Sequence, residues 1–164
     1  MSYESDRRWS DAFIPAIKRI VGPMLLEESS FEVDTKQAAD LVVLNARDKT
    51  IAARIRRPGY ADRYGYEFTI RSMRDSGAKT ELEKLVDGFG DWMFYGHAHE
   101  NGRDLTRWMV INLPAWRAAL IRKQVIAKKK SNVDGTHFVV FDVRNLPPNV
   151  VIGCNFQIEC KEAA

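Results

Sequence analysis

Tyr66-Glu67-Phe68-Thr69-Ile70-Arg71-Ser72 alternates large apolar and polar side chains step by step. A period of two is that of a β-strand, so Tyr66, Phe68 and Ile70 share one face and Glu67, Thr69 and Arg71 the other. Upstream, Leu41-Val42-Val43-Leu44 is short, apolar and β-branched at its centre, with Asp40 before it and the polar stretch 45–49 after it. This reads as a buried strand. Across that polar turn, Ile51, Ala53 and Ile55 alternate with Ala52, Arg54 and Arg56, which predicts a strand with one packed and one basic face, forming a hairpin with the strand before. Pro58 and Gly59 break the pattern, and the Tyr/Arg-rich stretch to Gly65 reads as a loop or an extended hairpin tip.

Helical periodicity flanks these strands. Trp9, Phe13, Ala16, Ile17, Ile20 and Val21 recur at helical spacing, with Arg7, Arg8, Lys18 and Arg19 on or near the other side. Pro15 predicts a kink in that helix, or a start near Ser10, and Gly22-Pro23 ends it. Thr80 and Glu83 have capping-box spacing ahead of Leu82, Leu85, Val86, Phe89 and Met93, which predicts a central helix. Met109 to Leu113 is strand-like, and Pro114 suits the first turn of a helix that carries Trp116, Leu120, Ile121 and Val125 and ends in Lys128, Lys129 and Lys130. His137–Val143 and Val150–Ile158 read as two closing strands. The order is α, β, β, β, α, β, α, β, β: an α/β (α+β) chain with a central mixed sheet flanked by helices.

The chain has 164 residues, 45% hydrophobic and 29% charged. A single domain of that length, with a core from about residue 5 to 160, buries roughly 70% of its unfolded surface without staples. No run approaches the roughly 18 apolar residues of a membrane span. The N-terminus has acids and arginines where a secretion signal is apolar, so a cytoplasmic protein is expected. Cys154 and Cys160 are the two cysteines; a reduced pair of small buried residues is the simpler reading. A net charge of +3 permits a polyanionic partner, and its distribution matters more than its size.

A metal-dependent phosphodiesterase holds Mg²⁺ against phosphate with a few carboxylates while leaving positions for water and substrate. Asp40, at the entrance of one strand, and Glu67, on the polar face of another, are the candidate ligands. Glu27, Glu28, Glu32 and Asp34 are weaker candidates for a third. An acid beside a strand also serves simply to stay solvated. His97-x-His99-Glu100 has metal-ligand spacing without further soft ligands nearby. No Walker-type phosphate loop and no Gly-x-Ser-x-Gly elbow is present.

Ala39-Asp40, Glu67-Phe68-Thr69 and the stretches Gly77-Ala78-Lys79-Thr80-Glu81 and Gly90-Asp91-Trp92-Met93-Phe94-Tyr95-Gly96 resemble the PD-(D/E)XK, restriction-endonuclease-like nuclease superfamily, in the form of its small phage and bacterial members. The resemblance spans about Phe31 to Trp116. It implies a restriction-endonuclease-like fold and a Mg²⁺- or Mn²⁺-dependent DNA endonuclease with Asp40 and Glu67 on the metal. Thr69 stands where that superfamily has lysine and cannot supply a cation. Lys79, or Arg71 on the Glu67 face, would have to do so from a displaced position. The alternative is a catalytically inactive relative acting as a DNA-binding or protein-inhibiting accessory factor, with a host protein as partner and the host cytoplasm as location if phage-encoded. Nucleases of this kind often pair, because a duplex offers two strands to cut, so a homodimer is an assembly to test for.

Arg54, Arg56, Arg57, Arg63, Arg71 and Arg74 concentrate positive charge around the candidate acids, interleaved with Tyr60, Tyr64 and Tyr66. That mixture suits phosphate contacts and base stacking, and points to DNA as the partner. Arg117, Arg122, Lys123 and Lys128–Lys130 form a second basic group, readable as a helix C-terminus.

Overall fold

A computed structural model describes residues 3–28, 41–43, 49–73, 80–132 and 135–158. The chain divides into two compact units, Met1–Lys49 and Thr50–Ala164.

In the first unit, α1 (Tyr3–Asp11) and α2 (Ile14–Val21) replace the single kinked helix that the periodicity predicts. The break falls at Ala12-Phe13 rather than at Pro15. Pro15 sits in the first turn of α2, where its missing N–H has no intrahelical acceptor to lose. Trp9 packs edge-on against Phe13, whose side chain is fully buried. After a short 3₁₀ turn, β1 (Leu26–Glu28) pairs antiparallel with β2 (Leu41–Val43) in the register Leu26↔Val43. The strand at Leu41 is present, and among the described residues its partner is β1 in place of the expected hairpin with Ile51–Ile55.

In the second unit, β3 (Ile51–Arg56), β5 (Trp92–Ala98), β6 (Leu105–Asn112) and β9 (Val151–Cys154) make a mixed four-stranded sheet in the order β3-β5-β6-β9. β3 runs parallel to β5, and the other pairings are antiparallel. A set of hydrogen bonds fixes the parallel register. The Asp91 carboxylate accepts from the backbone N–H (2.9 Å) and hydroxyl (3.1 Å) of Thr50, and the Thr50 carbonyl accepts from the N–H groups of Asp91 and Trp92 at 3.1 Å each. The second sheet is antiparallel, β4 (Glu67–Met73), β8 (His137–Asp142) and β7 (Lys128–Ser131) in the order β4-β8-β7.

Both sheets feed one core. Phe68 and Ile70 of β4 and Val139 and Phe141 of β8 join Met93 and Tyr95 of β5 and Met109 and Ile111 of β6. α4 (Glu81–Val86) adds Leu85, and α5 (Leu113–Ile121) adds Leu113, Trp116 and Ala119. The whole is a mixed α and β architecture, as the alternation of periods predicts.

Three expectations are corrected here. The helix starting at the Thr80–Glu83 capping box forms, with both reciprocal hydrogen bonds, but ends at Val86. Gly88, at φ +100°, and the Arg117 guanidinium, which donates to the carbonyls of Leu85, Phe89 and Gly90, close it. Phe89 is left exposed, and Met93 belongs to β5. The Tyr/Arg-rich stretch, expected as a loop or an extended hairpin tip, contains a one-turn helix, α3 (Ala61–Tyr64). Lys128–Lys130 do not end α5; they form the edge strand β7, where exposed lysines discourage further pairing. Among the described residues no helix is long and apolar enough to cross a membrane.

Candidate nucleic-acid interface

The chain leaves β3 through Arg56 and Arg57, turns at Gly59 (φ +84°), and reaches β4 by way of α3. Tyr60 and Tyr64 lie four positions apart on this turn, one helical pitch, and their rings stack with centroids 6.0 Å apart. Arg56 lies over Tyr60 at 5.0 Å, and Arg63 over Tyr64 at 5.3 Å. Lys130, from edge strand β7, reaches the same Tyr64 ring at 5.7 Å. A second aromatic pair, Tyr66 edge-on to Phe156 at 5.4 Å, carries Arg107, 4.9 Å from Tyr66 and 5.3 Å from Phe156, and Arg144, 4.6 Å from Tyr66.

Five cations therefore meet four aromatic rings. Stacking occupies the flat face of a guanidinium and leaves its N–H edge for oxygen acceptors. Of the five, Arg144 is held by a carboxylate. Its Nε and Nη2 donate to Asp142 at 2.9 and 2.6 Å, and these bonds raise its pKa further. Arg56, Arg63, Arg107 and Lys130 form no ion pair with a carboxylate among the described residues.

Gly65 fixes the approach of Arg107. A Cβ at this position would collide with the Ala61 carbonyl oxygen and would lie 2.5 Å from Nη1 and 2.8 Å from Cδ of Arg107, so the absence of a side chain serves both the α3 backbone and the arginine that lies against the α3–β4 junction. Beneath the arginines lies His97, 1% exposed, with neither ring nitrogen hydrogen-bonded among the described residues. On β5 it stands directly between Arg56 of β3 and Arg107 of β6. Burial, and then the charges of those two arginines, lower its pKa to about 4.

The residues expected to carry nuclease chemistry are placed as follows. Glu67 opens β4, half-buried, directly across from Asp142. Thr69 lies in the interior, 7% exposed, its hydroxyl 3.1 Å from the Tyr95 hydroxyl. The Arg71 backbone N–H donates to Glu81 at 3.2 Å, and the same carboxylate is gripped by Arg54. Arg57 is half-buried beside the turn. Asp40, Lys79 and Arg74 lie outside the described residues, as do Glu32, Asp34 and Cys160. Among the described residues no group of three or more His, Cys, Asp or Glu side chains could hold a metal ion.

Of the sequence-derived interface, Arg56, Arg63 and Tyr64 come together, and Arg54 is committed to Glu81. Arg107, Arg144, Phe156 and His97 were not legible as members, because strand order alone brings β6 and the segments after β8 and β9 to the α3 turn. No family model matches the chain, and no match is found among curated proteins or solved structures.

Proposed function

We propose that this chain is a nucleic-acid-binding protein, with DNA as its partner, that grips the sugar-phosphate backbone through Arg56, Arg63, Arg107 and Lys130 and stacks bases on the Tyr60–Tyr64 and Tyr66–Phe156 rings. The observation that carries the proposal is the joining of cations without carboxylate partners among the described residues to exposed or half-exposed aromatic rings on one unit. Phosphates need the former and unpaired bases the latter. Binding without cleavage is the better match, since the threonine at the superfamily's lysine position is buried and bonded to Tyr95.

The test is fluorescence anisotropy with labelled single-stranded and duplex DNA across a salt series, alongside a plasmid-nicking assay with Mg²⁺ and Mn²⁺. Affinity should fall log-linearly with salt, and Arg63→Gln should lower the slope by about 0.7–0.9, the loss of one phosphate contact. The plasmid should stay intact. No binding at low salt would remove the proposal, and metal-dependent nicking lost in Asp40→Asn would restore the nuclease.

A further inference from the structure

We propose that Phe89, Ile121 and Ile126, with Arg122, Lys123 and Lys129 around them, dock this chain onto an anionic phospholipid bilayer. The apolar tips enter the headgroup layer, and the cations meet lipid phosphate and carboxylate. This goes beyond nucleic-acid binding and gives a role to the second basic group of the sequence, from which Lys130 reaches the tyrosine turn.

Among the described residues, the large apolar side chains that are more than half exposed are Val86 (54%), Phe89 (64%), Ile121 (83%) and Ile126 (65%). All four sit at or just beyond the C-terminal ends of α4 and α5. Arg117 ties those ends together. Its Nη1 donates to the carbonyls of Leu85, Phe89 and Gly90, and Ile121 stands one helical pitch further along the same face of α5. Exposed apolar residues scattered singly are ordinary, whereas a group of them at one end of the fold marks an interaction surface.

Phe89 is held in this exposed position by its turn. The Gly88 N–H donates to the Leu85 carbonyl at 3.3 Å and the Phe89 N–H to the Lys84 carbonyl at 3.0 Å, the paired bonds of a Schellman motif. In that motif the residue after the glycine commonly packs back onto the side chain whose carbonyl it bonds. Here that side chain is Lys84, itself exposed, which supplies no apolar partner for the ring. Gly88 at φ +100° and Gly90 at φ +79° fix the turn on either side, so little ordering is needed when the ring is buried.

The charge pattern selects the partner. From Leu105 to Val133 the sequence has seven cations and no Asp or Glu. Lys129 pairs with Val139, and directly paired residues share a side of the sheet. Val139 lies in the core that Trp116 of α5 also fills, so Lys129 emerges on the α5 side, whereas Lys130 points the other way, to Tyr64. Of the α4 carboxylates, Glu81 is gripped by Arg54 and Glu83 bonds the Thr80 N–H at the far end, which leaves Asp87 as the acid of this helix end, outweighed by Arg122, Lys123 and Lys129. A nucleic acid rewards the cations but not the isoleucines. A second copy of the chain would bring cations against cations across the two-fold interface. An anionic bilayer rewards both kinds of side chain and requires no matching shape.

Co-sedimentation of the full chain with vesicles of phosphatidylcholine alone, and with about one-third phosphatidylserine added, tests this. The protein should bind the anionic vesicles and not the neutral ones. Ile121→Ser combined with Ile126→Ser should weaken that binding roughly tenfold while leaving affinity for single-stranded DNA unchanged. Arg122→Gln and Lys123→Gln should each weaken it about fivefold, the worth of one cation near such a surface. Circular dichroism checks folding, and Phe89→Ser replaces the isoleucine pair should that variant unfold. Failure to bind either vesicle, equal binding to both, or anionic binding that the apolar substitutions leave intact overturns the proposal. A dimer seen by sedimentation velocity and lost in the isoleucine variant would assign the surface to a second copy and overturn it as well. Nucleic-acid binding at the tyrosine turn stands or falls separately, in the anisotropy assay.

Discussion

His97 is where the structure departs furthest from ordinary side-chain behaviour, and its titration has a defined sign. Its folded pKa of about 4 lies below the ordinary value of 6.5. The unfolded chain therefore takes up the proton first, and the stability contributed by the neutral ring is complete above pH 6.5 and lost as pH falls towards 4. The loss is on the order of 3 kcal/mol. Urea denaturation between pH 4.5 and 7.5 should show a fall toward acid that is shallower in His97→Phe; parallel curves would show the ring is not held neutral. A second prediction concerns Gly65. A Cβ there would collide with the Ala61 backbone carbonyl oxygen as well as with the Arg107 side chain, so Gly65→Ala should lower the urea denaturation midpoint and weaken DNA binding together, whereas Arg107→Gln should weaken binding with the fold retained by circular dichroism.

At the scale of elements, local chemistry was legible where neighbours in sequence satisfy one another. The capping box is the clearest case: Thr80 and Glu83 bond reciprocally, whereas the cap of α5, where Asn112 accepts from Ala115 N–H, was read only as a strand residue before Pro114. Thr80→Ala should cost about 1 kcal/mol in urea denaturation, and Thr80→Ser much less. Element ends were less legible. The apolar residues after Leu85 continue a helical spacing, but Gly88 and the Arg117 guanidinium, 29 positions later in the chain, stop the helix. Lysine favours helices on intrinsic propensity, so Lys128–Lys130 look helical until β8 offers its hydrogen-bonding edge.

For the second unit as a whole, the core that unites its two sheets is the main store of stability. Phe141 stacks on Phe68 at 5.0 Å and meets Trp116 edge-on at 5.4 Å, joining two strands of one sheet to α5. Phe141→Ala should cost about 3–5 kcal/mol, read as a lowered denaturation midpoint, whereas Tyr60→Ala, on an exposed ring, should leave stability nearly unchanged while weakening binding to single-stranded DNA. The similar basic character of Arg54 and Arg56 in sequence conceals different fates. Arg54 faces Glu81 and is neutralised, while Arg56 faces His97 and Tyr60 and has no carboxylate partner among the described residues.

The alternating periods, the capping box and the arginine–tyrosine mixture of residues 54–66 depend on side chains at most a few positions apart, and so the amino-acid order by itself determined the strand at 51–56, a strand read at 66–72 that the structure places at 67–73, the start of α4 and the place of the basic-aromatic surface. Which strands pair, that β3 lies parallel to β5, and that Arg107, Arg144 and Phe156 meet Tyr66 were decided only by the tertiary structure. Those contacts join residues up to 90 positions apart, and no local propensity encodes them; burying one shared core while satisfying every strand's backbone selects the partners.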